Sequence, residues 1–360
     1  MESVGVSASF WRGRRVLVTG VTGFKGGWLA LWLRELGATV VGYSLPPPTT
    51  PSLFESTALD RVVEWIEGDV RDRARFTRAI RESAPEIVFH LAAQPLVFAS
   101  YEIPVETFET NVIGTVNLLD ALRDQASTRA IVVVTTDKCY ENREWCWPYR
   151  ETDALGGHDP YSSSKACAEI ATSAYARSFY RSRGVGVATV RAGNVIGGGD
   201  WARHRLIPDA VAAIEKGESV LIRNPASVRP WQHVLDPLAG YLLLAEHLGS
   251  DAGAFSESWN FGPDPGAVRP VAELATTVCS LWGEGAAWHS PPSTTSPKPH
   301  EAGLLALDAS KARARLGWRP RLTLQDGLEW TVSWYKARRA KEEMVAFTLG
   351  QIHEYERLGP

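Results

Sequence analysis

An α/β fold, with helices covering both faces of a doubly wound parallel sheet, is what the sequence predicts, and two features predict it. From residue 14 to residue 192, short β-branched runs alternate with longer helical stretches, the pattern of parallel strands joined by crossover helices. At the first strand-to-helix junction, Gly20, Gly23 and Gly26 stand three residues apart in TGVTGFKG.

The elements follow in order. RRVLVTG (14–20) is a strand, followed by a helix over 25–36 whose apolar Trp28, Leu29, Trp32, Leu33 and Leu36 fall at helical spacing. ATVVGYS (38–44) is the second strand, and SLPPPTTPSLFES after it reads as a long surface loop, because proline supplies no ladder donor and breaks a helix interior. VVEWIEGDV precedes a helix over 72–83, EIVFHLA precedes one over 104–124, and AIVVV (130–134) is a buried strand. A helix opens at PYSSSKACAEI (160–170), and a further strand runs into RAGNVIGGGDW (191–201). Beyond residue 192 the alternation breaks into shorter pieces, with helices at IPDAVAAIEKG, DPLAGYLLLAEHLG and VAELATTVCSLWG and a second Pro-rich loop over 290–303. Two regions are therefore expected: a Rossmann-type dinucleotide-binding domain over 10–192, and a smaller, partly interleaved α/β domain over 193–345 that mainly binds substrate.

Composition narrows the function. The 360 residues are 44% hydrophobic, enough for a sizeable core, and the 38 Lys and Arg against 41 Asp and Glu are scattered, which is no nucleic-acid footprint. The start, MESVGVSASFWRGRR, has its basic residues after its weakly apolar ones, the reverse of a secretory signal, and no apolar run reaches membrane-spanning length, so a cytoplasmic location is expected. Cys139, Cys146, Cys167 and Cys279 form no CxxC pair and no zinc spacing. No metal is expected, and His233 and His300 read as satisfied polar residues.

The glycine turn allows close backbone approach, and the helix behind it offers unpaired N–H groups and a positive dipole end to a pyrophosphate. In PYSSSKACAEI, Tyr161 and Lys165 fall one helical turn apart, where an ammonium would favour the phenolate and lower the tyrosine's pKa. Such a pair suits removal of a hydroxyl proton during hydride transfer. Asp137 and Lys138 follow Thr136 at the end of a strand, where burial of charge is expensive.

The TGVTGFKG spacing and the YxxxK pair resemble the extended branch of the short-chain dehydrogenase/reductase superfamily. The resemblance implies a cofactor site of Gly20, Thr22, Gly23, Phe24, Lys25 and Gly26 in the turn. It adds Asp69 and Val70 in GDVRD, where the Asp meets adenine, Leu91, Ala92 and Ala93 in HLAAQ beside the nicotinamide, and Asn111. It also makes Thr136 the third member with Tyr161 and Lys165, Lys165 also holding the nicotinamide ribose. The branch usually has an acid after the second strand to hold the ribose; Ser44 stands there with no adjacent Arg, which leaves NADP open and favours NAD.

Within the branch, TTDKCYENREW, GGHDPYSSSKACAE, RAGNVIGGGDW and RPWQHVLDPL resemble the CDP-glucose 4,6-dehydratases over residues 10–340. Such enzymes oxidise carbon 4 of a nucleotide sugar, remove the carbon 5 proton, expel the carbon 6 hydroxyl as water and return the hydride to carbon 6. Asp137 would be the acid for water loss, and Lys138 either the carbon 5 base or an electrostatic stabiliser of the enolate. Most members carry Asp-Glu here, so Lys138 departs from the pattern. Asn194, Arg205 and Arg229 would meet the nucleotide sugar, and a homo-oligomer, dimer or tetramer, is implied. Rival readings are a dehydratase for a dTDP- or GDP-sugar, a nucleotide-sugar 4-epimerase, and a dinucleotide-binding regulator without catalysis.

Overall fold

The computed structural model describes residues 5–291 and 304–359, so His300 and most of the second Pro-rich loop lie outside it. Its strands are β1 (Arg15–Thr19), β2 (Thr39–Ser44), β3 (Glu64–Glu67), β4 (Ile87–His90), β5 (Ala130–Val134), β6 (Gly186–Ala192), β7 (Asn194–Ile196), β8 (Val220–Leu221), β9 (Val228–His233), β10 (Ser258–Phe261), β11 (Val268–Pro270) and β12 (Trp288–His289). Seven form one parallel sheet in the order β10-β6-β5-β4-β1-β2-β3. The chain winds outward from β1 to β3, returns to β4, and winds the other way. A crevice therefore opens at the carboxyl ends of β1 and β4, where α/β sheets bind ligands. β10 completes the sheet from the second half of the chain, while β11-β9-β7 and β12-β8 form two small sheets outside it.

The burial of the central strands explains why they read so clearly. Every residue of β4, β5 and β6 is buried, because helices cover both faces. Two expectations need correction. The end of the first Pro-rich stretch is a helical turn, Leu53–Ser56, capped by Ser52, whose hydroxyl accepts from Glu55 N at 3.1 Å. Its Leu53 and Phe54 are buried, so packing of Leu53 against Gly27 and of Phe54 against the Trp65 ring overrides the surrounding prolines. The helix expected over 104–124 is broken into Pro104–Phe108, a single wide turn at Glu109–Ile113, and Gly114–Leu122. The turn carries Asn111 inward, and Gly114 behind it abuts Val70, where a Cβ would lie 2.6 Å from Val70 Cγ2.

Helices Leu324–Arg339 and Met344–Arg357 follow the last predicted elements and close the core over helix Phe24–Glu35. Buried indoles fasten them: Trp32 Nε1 donates to Glu356 Oε1 at 2.8 Å and Trp334 Nε1 to Thr348 Oγ1 at 2.9 Å. Trp28 Nε1 reaches Gly198 O at 2.9 Å, tying that helix to the loop after β7. These three indoles pack and keep their N–H groups bonded, as amphipathic aromatics do when buried, whereas the buried N–H groups of Trp145 and Trp282 have no protein partner among the described residues.

Two histidines are buried without charge. His90 bridges Thr19 Oγ1 at 2.7 Å and Thr115 Oγ1 at 3.2 Å, and His233 lies edge-on between the rings of Trp28 and Trp330. Burial holds both rings at about 3, with the Lys165 charge adding to the effect at His90. Their folded values lie below the unfolded value of 6.5, so the unfolded chain binds more protons on acidification. Stability is therefore complete above pH 6.5 and falls as the pH drops toward 3, by up to about 1.4 kcal/mol per pH unit for each ring. Urea titrations at pH 7 and pH 5 should show the midpoint moving down, and His90→Gln should reduce that dependence.

Candidate active site

The first turn is shaped for a diphosphate. Gly20 has φ +73°, and a Cβ on it would meet Ala92 N at 2.8 Å; a Cβ on Gly26 would lie 2.1 Å from Gly20 O. Neither position admits a side chain. Gly23 caps helix Phe24–Glu35 with no side-chain bond and no acid follows in the first turn, so the helix end presents its N–H groups and positive dipole to the crevice. Thr19 Oγ1 accepts from Leu91 N and Ala92 N, both at 3.1 Å, which holds the HLAAQ segment, including Ala93, against the turn. Thr22 Oγ1 donates to Leu45 O at 2.9 Å. Phe24 packs beside Gly197 across the cleft.

At the sheet's outer side the Ser44 hydroxyl accepts from Trp65 Nε1 at 3.1 Å. The Asp69 carboxylate takes a bidentate pairing from Arg71, Nη2 to Oδ2 at 2.6 Å and Nε to Oδ1 at 3.1 Å, and Val70 O accepts from Asn117 Nδ2 at 3.0 Å. Burial raises the Asp69 carboxyl, but the bonds and charge of Arg71 outweigh it and hold it below the carboxylate range. Asn111 is fully buried and reads both backbone atoms of Gln94, at 2.9 and 3.1 Å, while donating to Ser164 Oγ at 2.8 Å. It is a tie between the loop after β4 and the helix that carries Tyr161.

That helix, Pro160–Tyr175, starts where the sequence provides both a cap and a proline: Asp159 accepts from Ser162 N at 2.9 Å and Pro160 occupies the first position. Tyr161 and Lys165 are both buried on its inward face. Across from them β5 ends in Thr136, which caps the short turn Asp137–Cys139. Thr136 Oγ1 donates to Asp137 Oδ1 at 3.1 Å and lies beside Tyr161, whose phenol pKa it helps to lower. Asp137 is 1% exposed with Oδ2 unpartnered, and Lys138 Nζ lies 3.8 Å from Oδ1. Thr136, Asp137, Lys138 and Tyr161 thus adjoin one another, and Lys165 lies one helical turn beyond Tyr161 on Val134 O.

The electrostatics of this cluster differ from the simple pairing expected between Tyr161 and Lys165. Burial pushes the Tyr161 phenol up to about 12; the Thr136 hydroxyl and Arg205 charge oppose it and the charges of Asp137 and Asp159 add to it. Lys165 donates to Val134 O at 3.1 Å, and burial brings it down to about 8 against the pull of Glu169. In the free protein desolvation dominates both groups, and the charges that act on Tyr161 are those of Asp137, Arg205 and Asp159, while Lys165 is engaged with Val134 O. Lys25 is likewise lowered to about 8, by burial first and then by Arg205, with Asp137 opposing. Arg205 pairs with Asp200 at 2.8 Å and its charge reaches Tyr161. Lys25 and Arg205 therefore face the reacting centre. Asn194 opens β7 with its buried Oδ1 unpartnered, and Arg229 lies buried on β9, one small sheet away, with Nη1 on Val228 O at 2.9 Å. Among the described residues no group of His, Cys, Asp or Glu is arranged to hold a metal, and no helix is long and apolar enough to cross a membrane.

Sequence reasoning passed over Glu169 and Arg191, a fully buried pair bonded at 2.8 Å from both Nε and Nη2. The signal was available: Glu169 follows Lys165 by one turn in the same helix. It was lost because an acid in a helix ordinarily faces solvent.

With this geometry in hand, comparison with known proteins is direct. The profile of the GDP-mannose 4,6-dehydratase family matches residues 17–331. A CDP-glucose 4,6-dehydratase from Salmonella typhimurium is 50% identical over 355 residues, covering 97% of this chain and 98% of that one. The structure of a dTDP-glucose 4,6-dehydratase from Streptomyces venezuelae, solved with NAD, superposes with TM-score 0.75 at 27% identity over 92% of this chain and 99% of that one. A UDP-glucose 4-epimerase from Thermotoga maritima, solved with UDP-glucose, gives TM-score 0.77 at 26% identity over 91% and 99%. By profile, by identity and by fold, the chain belongs to the GDP-mannose 4,6-dehydratase family.

Proposed function

We propose that this protein is an NAD-dependent lyase that converts CDP-glucose to CDP-4-dehydro-6-deoxyglucose and water, a step of deoxysugar biosynthesis. The observation that carries the reading is the buried Asp137 beside Lys138 and Thr136, in a chain half identical to a CDP-glucose 4,6-dehydratase. An epimerase has no elimination to perform and no use for an acid held there.

Gly20, Gly23 and Gly26, with Thr22, Phe24, Lys25, Asp69, Val70, Asn111 and the Leu91–Ala93 segment, would hold NAD, whose nicotinamide, when bound, supplies the acceptor and later donor of one hydride. Residues 10–192 carry that site and 193–345 mainly the substrate, through Asn194, Arg205 and Arg229; an Arg fork binds two phosphate oxygens at once. Tyr161, once it has given up its own proton to solvent and stands as the phenolate, takes the proton of the carbon 4 hydroxyl, with Thr136 beside it, and Lys165 orients the ribose. Asp137 then gives its proton to the carbon 6 hydroxyl, which leaves as water. Lys138, partly exposed and 3.8 Å from Asp137 Oδ1, stabilises the enolate formed when the carbon 5 proton passes to a solvent water.

The protein acts as a homo-oligomer. Val105, Ile113 and Ile170 are 70%, 50% and 59% exposed on helical segments that pack side by side, with Tyr101, Ile103 and Phe108 beside them, an apolar patch suited to a second copy. A cytoplasmic location fits the four free cysteines.

Purified protein with NAD should convert CDP-glucose, and substrate deuterated at carbon 4 should carry the label to carbon 6 of the product; label found in solvent would exclude internal return. Asp137→Asn should still oxidise carbon 4 in a single turnover, seen as nicotinamide reduction, while product falls by about 10²- to 10⁴-fold. Lys138→Met should slow, without abolishing, solvent exchange of the carbon 5 proton. Ile113→Glu with Ile170→Glu should reduce the mass measured by sedimentation, and an unchanged mass would place the interface elsewhere.

A further inference from the structure

Among the buried polar atoms without a hydrogen-bond partner are Asp137 Oδ2, Tyr241 Oη and Gln232 Oε1. Such atoms are rare in folded proteins, and each one left unpaired is destabilising. They come from three separate elements: the turn after β5, helix Leu235–Ser250 and β9. Several contacts draw them together. Gly193 stands between Asp137 and β9; a Cβ there would lie 3.3 Å from Asp137 Oδ2 and 2.8 Å from Pro230 Cγ. Gln232 is two residues along β9 from Pro230 and so shares its face. Gln232 Nε2 donates to Phe261 O at 2.9 Å, and the Tyr241 ring packs edge-on against the Phe261 ring at 5.5 Å. The charges that bear on Tyr241 are those of Tyr161 and Asp137.

We propose that Asp137 Oδ2, Gln232 Oε1 and Tyr241 Oη enclose one internal water, and that through it Tyr241 is a positioning residue for the acid of the elimination. The donor count closes: the water donates to Asp137 Oδ2 and to Gln232 Oε1, and accepts from the Tyr241 hydroxyl. A water with three partners is the usual occupancy of a buried polar space of this kind. When Asp137 gives its proton to the carbon 6 oxygen, the C6–O bond breaks with its electron pair on the departing water molecule. Asp137 is left as a carboxylate. The internal water, oriented by Tyr241, already points a hydrogen at the oxygen that gains the charge, and no proton passes to Tyr241. The proposal rests on Asp137 being the acid.

The groups that face Asp137 are Lys138 and Cys139 on its own turn, Lys25 from the first helix, Tyr161 from the helix opposite, and Tyr241. Removing the Tyr241 hydroxyl leaves those charges in place and withdraws one hydrogen bond from the carboxylate form. Asp137 then holds its proton to higher pH and gives it up less readily.

The test has two parts. A high-resolution crystal structure should show a water within 3.2 Å of all three atoms; clear density without it overturns the proposal. In Tyr241→Phe, which removes an unpaired buried hydroxyl and should fold, elimination should slow roughly ten-fold or more while carbon 4 oxidation keeps its rate. The alkaline limb of its pH profile should move to higher pH, and the effect should vanish when Asp137→Asn is also present. An unmoved limb, or effects that add, would make Tyr241 merely structural and overturn the inference. If Asp137→Asn itself eliminates normally, the assignment of the acid fails instead.

Discussion

The buried Glu169–Arg191 pair is the interaction on which the arrangement of the site depends. Tyr161 and Lys165 are on one helix, Thr136 and Asp137 on the end of a strand, and each must keep its place against the other within fractions of an ångström. Glu169 lies one turn beyond Lys165, and its two oxygens accept from Thr135 and Thr189 hydroxyls, from Ser258 Oγ and from the Arg191 guanidinium. One carboxylate therefore joins the helix to the ends of β5, β6 and β10. Arg191 continues outward to the Tyr140 hydroxyl at 2.7 Å, and Tyr140 to Asn260 Oδ1 at 2.8 Å, which fixes the chain just beyond Lys138. Burial alone would raise the Glu169 carboxyl, but the bonds and charge of Arg191 and the threonine hydroxyls outweigh it and keep it ionised. Removing one partner of such a pair typically costs about 3–5 kcal/mol, because the other charge stays buried and unpaired.

Much of this was legible in the sequence, for physical reasons that differ by element. The central strands show because both faces are buried and admit only apolar residues, so AIVVV needs no further pattern. The Gly20–Gly26 turn shows because nothing larger fits. Tyr161 and Lys165 show because their spacing is one helical turn. What stayed hidden depends on distant packing: the helical turn at Leu53, the wide turn that carries Asn111 inward, and the two C-terminal helices that close over the first helix. Charge was the least legible quantity. A YxxxK spacing tells which side chains meet but not how dry the meeting place is, and dryness decides that the Tyr161 phenol stands at about 12 in the free protein.

That dryness also orders the charges of the cleft. Lys25, Lys138, Lys165 and Arg205 lie among the carboxylates of Asp137, Asp159, Asp200 and Glu169. Among the described residues Lys25 has no paired carboxylate of its own, and the repulsion between Lys25 and Arg205 contributes to its lowering to about 8. A dinucleotide and a nucleotide sugar each bring a diphosphate, which relieves that repulsion when it enters the cleft.

Position within the sheet then assigns the work. The crevice at β1 and β4 takes the dinucleotide, because there the strand order reverses and helix Phe24–Glu35 points its N-terminus inward. One strand further, at β5, the chain leaves the sheet through Thr136 and turns at once, so Asp137 is delivered into the same crevice with one oxygen bonded to Thr136 and the other against Gly193. A residue larger than glycine at 193 would crowd that second oxygen, and Pro230 behind it leaves no room to yield. The turn after β5 and the close approach of Gly193 thus act together: one brings a carboxyl into the crevice beside Tyr161, and the other leaves its second oxygen the room that a side chain at 193 would take.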